Sequence, residues 1–321
     1  MIGVISYLVF FATVASILAL ATLGLNLQWG NTGLFNGGVV AFFGAGAYGT
    51  VLLGGSAQAD QFGGFGLFYP LALLGGVIIA GLLAWVVGVL TLKLRHDYLA
   101  IATFGVAVAF ESVMRNSDWL TGGAQGMRGF VRPFEATIGD PFIFNVLFFI
   151  VAVSLLAGVY YFLETLIRSP FGRLLRAIRE DEVAAKSLGK SPQHIRLTAF
   201  VTGSMIMGLS GGLYATFYAF ISPQDVLPTL TFQIWAMLIV GGAGNNRGAI
   251  AGTFLIWASW TSSGWLLSRI APIEAQLYTG TIQFILIGVI IVGMLLWRPQ
   301  GLLPEKLLVS QSGDDAQPPI S

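Results

Sequence analysis

The sequence predicts an all-α integral membrane protein, a polytopic bundle of about nine transmembrane helices within a range of eight to ten. Three observations lead there. Hydrophobic residues make up 55% of the 321 and charged residues only 10%, where a soluble domain carries about 25% charged, so lipid must solvate most of the chain. Apolar runs of the length needed to cross about 30 Å of hydrocarbon, around 20 helical residues, recur from end to end. The basic residues gather on one side of these runs, as the positive-inside rule requires of cytoplasmic loops.

Seven runs are clear, at residues 7–25, 34–53, 68–92, 142–167, 195–220, 249–267 and 277–297, and two shorter ones, 98–114 and 232–243, are ambiguous. All read as helices, because an open strand in lipid leaves backbone polar groups unpaired, and the run lengths disfavour a barrel. Arg168, Arg173, Arg176, Arg179, Lys186, Lys190 and Arg196 crowd the longest polar loop, 168–194 and its border, which is thereby cytoplasmic. Nine crossings then place Lys93, Arg95, Arg247, Arg298 and Lys306 inside as well, with Arg115, Arg128, Arg132 and Arg269 outside. The N-terminus falls outside, and Ala19-Leu20-Ala21 belongs to a retained first helix, since a cleaved signal peptide needs a basic segment before its apolar run. Residues 1–307 form a single transmembrane domain, and the polar tail 308–321 reads as disordered.

The chain has no cysteine, two histidines and no carboxylate cluster at ligand spacing, so neither a disulfide framework nor a metal site is expected. Gly44-Ala45-Gly46-Ala47-Tyr48-Gly49 matches a dinucleotide-binding string, and Gly208-Leu209-Ser210-Gly211-Gly212 a nucleophile elbow, but both lie within apolar runs and lack the strand–turn–helix setting that the chemistry needs. Gly189-Lys190-Ser191 would complete a phosphate-binding loop only if Ala184 were glycine. No catalytic residue and no cofactor are expected. Glycines inside apolar runs ordinarily let helix backbones approach; a pair of Gly-interrupted segments in the two halves instead marks broken helices beside a translocation path. Asn36-Gly37-Gly38 and the stretch from Gly241 through Gly242 and Gly244 to Asn246 form such a pair.

The loop from Ser169 reads as one amphipathic helix. Ser169 is placed to cap it, Pro170 occupies its first position, and Gly189 followed by Pro192 ends it. Phe171, Leu174, Leu175, Ile178, Ala185 and Leu188 recur at three- and four-residue steps along one stripe. Arg173, Arg176 and Arg179 would suit lipid headgroups, whereas Glu180-Asp181-Glu182 beside them favours a protein partner.

These residues carry a family resemblance. Residues 169–189 resemble the signature cytoplasmic loop of branched-chain amino acid ABC transporter permeases, Arg95-His96-Asp97-Tyr98-Leu99-Ala100-Ile101-Ala102-Thr103 is similar to their R-x-D-Y-L-A-I-x-T segment, and Leu120-Thr121-Gly122-Gly123-Ala124-Gln125-Gly126 to their L-T-G-G-x-x-G loop. Leu25-Asn26-Leu27, Gly33-Leu34, residues 44–48, Gly241-Gly242-Ala243-Gly244 and Trp297-Arg298-Pro299-Gln300-Gly301-Leu302 match in the same order, so the likeness spans about residues 24–303. It implies an inner-membrane permease subunit working with a second permease (homologous or identical), two cytoplasmic ATPases and an extracytoplasmic binding protein, and with no nucleic acid. It also implies an ATPase-coupling surface at Phe171, Arg176, Glu180, Glu182, Ala184, Ala185 and Gly189. Phe35-Asn36-Gly37-Gly38 departs from the S-L-G-H of many members, which leaves branched-chain or related amino acids, urea and short amides open as substrates.

Asn36, Gly37, Gly38, Glu111, Gly241, Gly242 and Gly244 are the candidates for the translocation path. Glu111 is the intramembrane ionisable residue, and charge in a membrane helix is a site hypothesis by default; its alternative is an ion pair with Arg115 one turn on. An ion-coupled secondary transporter, the rival class, needs several midplane carboxylates, and Glu111 stands nearly alone.

Overall fold

The computed structural model describes residues 2–56, 62–94, 96–128, 139–187, 189, 191–270 and 278–305. In chain order the helices are α1 (Ile2–Gln28), α2 (Val39–Gly54), α3 (Tyr69–Thr91), α4 (His96–Asn116), the short α5 (Asp118–Thr121), α6 (Pro141–Arg168), α7 (Pro170–Glu180), α8 (Glu182–Ser187), α9 (Pro192–Tyr218), α10 (Pro228–Gly241), α11 (Asn246–Ile270) and α12 (Thr279–Trp297). The tail 308–321 lies outside the described residues.

Among the described residues six helices, α1, α3, α4, α6, α9 and α12, are long and apolar enough to cross a membrane, so the protein is a polytopic helical membrane protein. The shorter run 98–114 is one of them, inside α4. Three runs make helices of another kind. α2 and α10 are apolar but have only 16 and 14 residues, and α11 has 25 but carries Asn246, Arg247 and the Thr261-Ser262-Ser263 string. The run 34–53 is helical only from Val39, because the Asn36 side chain takes the Gly38 N–H (2.7 Å) that a continuing helix would direct to its own backbone.

α9 is the axis of the bundle and packs against α1, α2 and α3. Both glycine strings that mimic soluble motifs lie on its crossing with α2. A side chain on Gly46 would overlap the Gly208 carbonyl, and one on Gly211 the Phe43 carbonyl. Backbones this close gain van der Waals contact, the main force between helices where lipid tails are as apolar as leucine. On the opposite end from α7, two-residue strands β1 (Met127–Arg128) and β2 (Phe220–Ile221) pair antiparallel, Met127 with Ile221 and Arg128 with Phe220. They tie the 122–126 loop to the connection between α9 and α10.

Candidate translocation and coupling site

α1 ends at Gln28, and the chain runs through a buried, non-helical stretch to the start of α2 at Val39. Polar side chains hold this break. Asn36 is fully buried. Its Nδ2 donates to Gln28 Oε1 (2.8 Å), its Oδ1 accepts from Gly38 N, and its carbonyl accepts from Trp235 Nε1 (2.9 Å). Gln28 Nε2 donates in turn to the Phe200 carbonyl (2.7 Å) and Ser204 Oγ (3.0 Å) on α9. Gly37 N–H donates to Thr103 Oγ1 of α4 (2.9 Å). Gly37 and Gly38 lie directly on the α4 backbone, where added side chains would sit 2.9 Å from the Ala100 carbonyl and 2.6 Å from the Thr103 carbonyl.

The first turns of α2 and α10 meet here. Val40 N–H, one of the donors a helix start leaves unpaired, donates to Thr231 Oγ1 at 3.2 Å. Phe35 stacks on Trp235 with ring centroids 4.2 Å apart, and Trp29 stands edge-on to both at 5.3 Å. The two Gly-interrupted segments contact different parts of the α1–α2 break: Trp235, midway along α10, bonds the Asn36 carbonyl, whereas Gly244, beyond the C-terminal end of α10, lies against Gly30.

At the far end of α10, Gly241 packs on Gly248 of α11, and Gly242 turns the chain at φ +106°, a conformation suited to glycine. Gly244 N–H donates to Asn26 Oδ1 (2.8 Å), while Asn26 Nδ2 donates to Asn246 Oδ1 (2.9 Å). Segment 298–305 closes over this turn, with Leu302 N–H donating to the Val240 carbonyl (2.9 Å) and Leu303 N–H to that of Gly241 (3.1 Å). Glu111 stands apart, on α4 about 12 Å along the axis from Thr103 at the usual rise per residue. It is mostly buried, and Arg115 Nε donates to its Oε1 at 2.7 Å, the ion pair that the i, i+4 spacing allows.

The amphipathic loop is two helices rather than the single one expected. Asp181 is extended, and its carboxylate accepts from Val183 N (2.9 Å) and Ala184 N (3.0 Å), capping α8 and breaking the run after Glu180. The Ser169 hydroxyl donates back to the Leu166 carbonyl (2.6 Å) instead of capping α7. Gly189 takes φ +73° at the end of α8, in keeping with its expected role as a stop. Gly172, Leu175, Ile178 and Ala185 are buried, with α7 lying on α6 and α9 and α8 on α9, so the chain's own body covers the apolar stripe. Leu188 lies outside the described residues.

Of the other coupling candidates, Phe171 is half-buried against the core, Arg176 Nη2 makes a long 3.4 Å bond to the Ile167 carbonyl, and Glu180, Ala184 and Gly189 are exposed. Glu182 Oε2 accepts from Nη1 of the buried Arg196 at 2.7 Å. Gln28 and Thr231 are not singled out by the sequence, Thr103 only as the end of a family segment and Arg179 only as one base among several. A contact across 172 positions such as Gln28 to Phe200 leaves no local trace.

The sequence that folds into this helical bundle also matches a described family. The family described as branched-chain amino acid transport system / permease component matches residues 7–295. The chain belongs to that family. This permease is 30% identical over 314 residues, 91% of its own chain and 69% of the relative, to the high-affinity branched-chain amino acid transport system permease protein LivM of Escherichia coli. A probable branched-chain amino acid transport permease protein LivM of Methanocaldococcus jannaschii is 25% identical over 91% of each chain. The autoinducer 2 import system permease protein LsrC of Yersinia enterocolitica is 25% identical over 60% of this permease and 52% of its own length. No solved structure matches. The role that the family assigns is that of the membrane permease in a transport system. Among the described residues no group of three His, Cys, Asp or Glu is placed to hold a metal ion.

Proposed function

We propose that this chain is the membrane-spanning subunit of an ATP-binding-cassette importer of the inner membrane that moves branched-chain or related amino acids inward. It crosses the membrane nine times with its N-terminus outside. A second permease, two cytoplasmic ATPases and an extracytoplasmic binding protein complete the assembly, and ATP hydrolysis resides in the ATPases. The family match along residues 7–295 carries this reading, and the relatives named for branched-chain amino acids over most of its length give the substrate class.

The pair α7–α8 supports the coupling role. Its apolar stripe is already covered from within, so it forms a preset knob, with Val183, Ala184 and Gly189 exposed for an ATPase cleft; Phe171, Arg176, Glu182 and Ala185 shape and anchor it, and Glu180 borders it. Asn36, Gly37, Gly38, Gly241, Gly242 and Gly244, with Glu111 nearer the outer end, frame the path. Irregular backbone at membrane depth is tolerated only where protein buries it or a cavity runs along it. Rocking of α10 against α2 at the Thr231–Val40 contact would open and close that path. The test is uptake of leucine, urea and an acidic amino acid by the reconstituted complex with and without ATP. Leucine uptake that requires ATP is the expected result. Uptake driven by an ion gradient alone would overturn the class, and ATP-driven uptake of urea alone the substrate.

A further inference from the structure

In the last turn of α7, Arg179 reaches away from solvent with its side chain only 25% exposed. One guanidinium nitrogen, Nη1, donates to the Gly30 carbonyl in the break between α1 and α2, and Nη2 donates to both carboxylate oxygens of Glu305, at 3.2 and 3.0 Å. The stem passes over Gly33, where an added side chain would lie 3.1 Å from Arg179 Cγ. Glu305 belongs to the 298–305 segment that bonds the end of α10, and next to it the Pro304 carbonyl accepts from Asn245 Nδ2 at 3.0 Å. Gly244 lies within 2.9 Å of the Glu305 carboxylate at its missing side-chain position. One side chain therefore joins the cytoplasmic helix, the break and the α10–α11 turn. Its neighbours on α7 do not compete: Arg173 is exposed, and Arg176 bonds only its own approach to the helix.

We propose that Arg179 is the positioning residue that turns displacement of α7 into displacement of the membrane break. This rests on the permease reading above. The buried stripe of α7 is apolar and non-directional, so alone it would let the helix slide or roll on the body. A planar fork that satisfies a carbonyl and a carboxylate together fixes both rotation and register, which the point charge of lysine cannot do. From Gly30 the linkage continues by hydrogen bonds already described or adjacent to them. Asn31 Nδ2 donates to the Asn26 carbonyl (3.1 Å), Asn26 holds Gly244 and Asn246, and Leu34 N–H donates to the carbonyl of Gln28 (2.8 Å), whose side chain holds Asn36. A pull on α7 thus reaches both short helices, α2 through the break and α10 through its C-terminal turn.

The experiment uses the full importer in proteoliposomes, with ATP hydrolysis and leucine uptake measured on the same vesicles for Arg179→Gln, Arg179→Lys and Glu305→Ala. Arg179→Gln is expected to keep its ATPase subunits and hydrolyse within about twofold of the unaltered complex, while uptake per ATP falls about tenfold, an ordinary coupling free energy. Arg179→Lys should fall between the two, and Glu305→Ala should lose less than Arg179→Gln because the Gly30 bond remains. Unchanged uptake per ATP in Arg179→Gln overturns the proposal. So does a proportional fall of hydrolysis and uptake in all three variants, or failure of both Arg179→Lys and Glu305→Ala to assemble, since either marks a merely structural contact. If the unaltered complex shows no ATP-driven uptake, the permease reading fails first and this proposal with it, a result distinct from any variant effect.

Discussion

Asn36 illustrates how one short amide can set the shape of a membrane segment. Its side chain satisfies the Gly38 N–H and the Gln28 side chain at once, and an unsatisfied polar group buried in protein costs about 1–3 kcal/mol. Asn36→Ala is expected to destabilise the detergent-solubilised permease by about that amount, read as a lower thermal midpoint, and to lower uptake with it. Gly38→Leu is a blunter probe, because a side chain there would press on the Thr103 carbonyl as well as on any path beside it. Glu182 is a second residue of this kind. Glu182→Lys would set a cation against the buried Arg196, which then loses its 2.7 Å partner, so ATPase co-purification should fall sharply. Retention of the ATPases at the unaltered level would remove α8 from the docking surface.

Among the elements, the helices with lipid-length apolar runs were legible from composition and spacing alone, and so was the stop at Gly189. The break after Gln28 was legible only as a place, through Asn36-Gly37-Gly38; its geometry depends on Thr103, Trp235 and Phe200, which lie 66, 199 and 172 positions from their partners. The division of the amphipathic loop showed in the sequence as a seven-residue step in the stripe between Ile178 and Ala185, where Asp181 and Glu182 stand, while the carboxylate's choice of Val183 and Ala184 as partners is a local competition that periodicity does not register. Asp181→Ala removes that cap, worth about 1 kcal/mol, and is expected to merge or fray α8. Weaker ATPase binding without loss of the membrane-inserted permease would be the readout. A cysteine at Ser187, exposed on α8, should react with impermeant thiol reagents from the cytoplasmic side only, and labelling from outside would invert the proposed topology.

At the scale of the whole molecule, the glycine-lined crossing of α2 and α9 makes the central four helices, α1, α2, α3 and α9, a tightly meshed body. Gly211→Leu should therefore prevent accumulation of the folded permease altogether, whereas Gly288→Leu, on α12 with open space around it, should leave yield and uptake unchanged. α2 is buried from Val39 through Val51, which gives its shortness a meaning beyond packing. A helix that touches acyl chains must match the thickness of the bilayer or tilt to fit it. α2 touches protein instead and is released from that requirement, while α3, α6 and α12 present Leu74, Ile78, Leu82, Ile150, Ile285 and Val289 outward. Thicker or thinner membranes then act on the rim of the molecule before its centre, so that the inner geometry is insulated from the thickness of the bilayer.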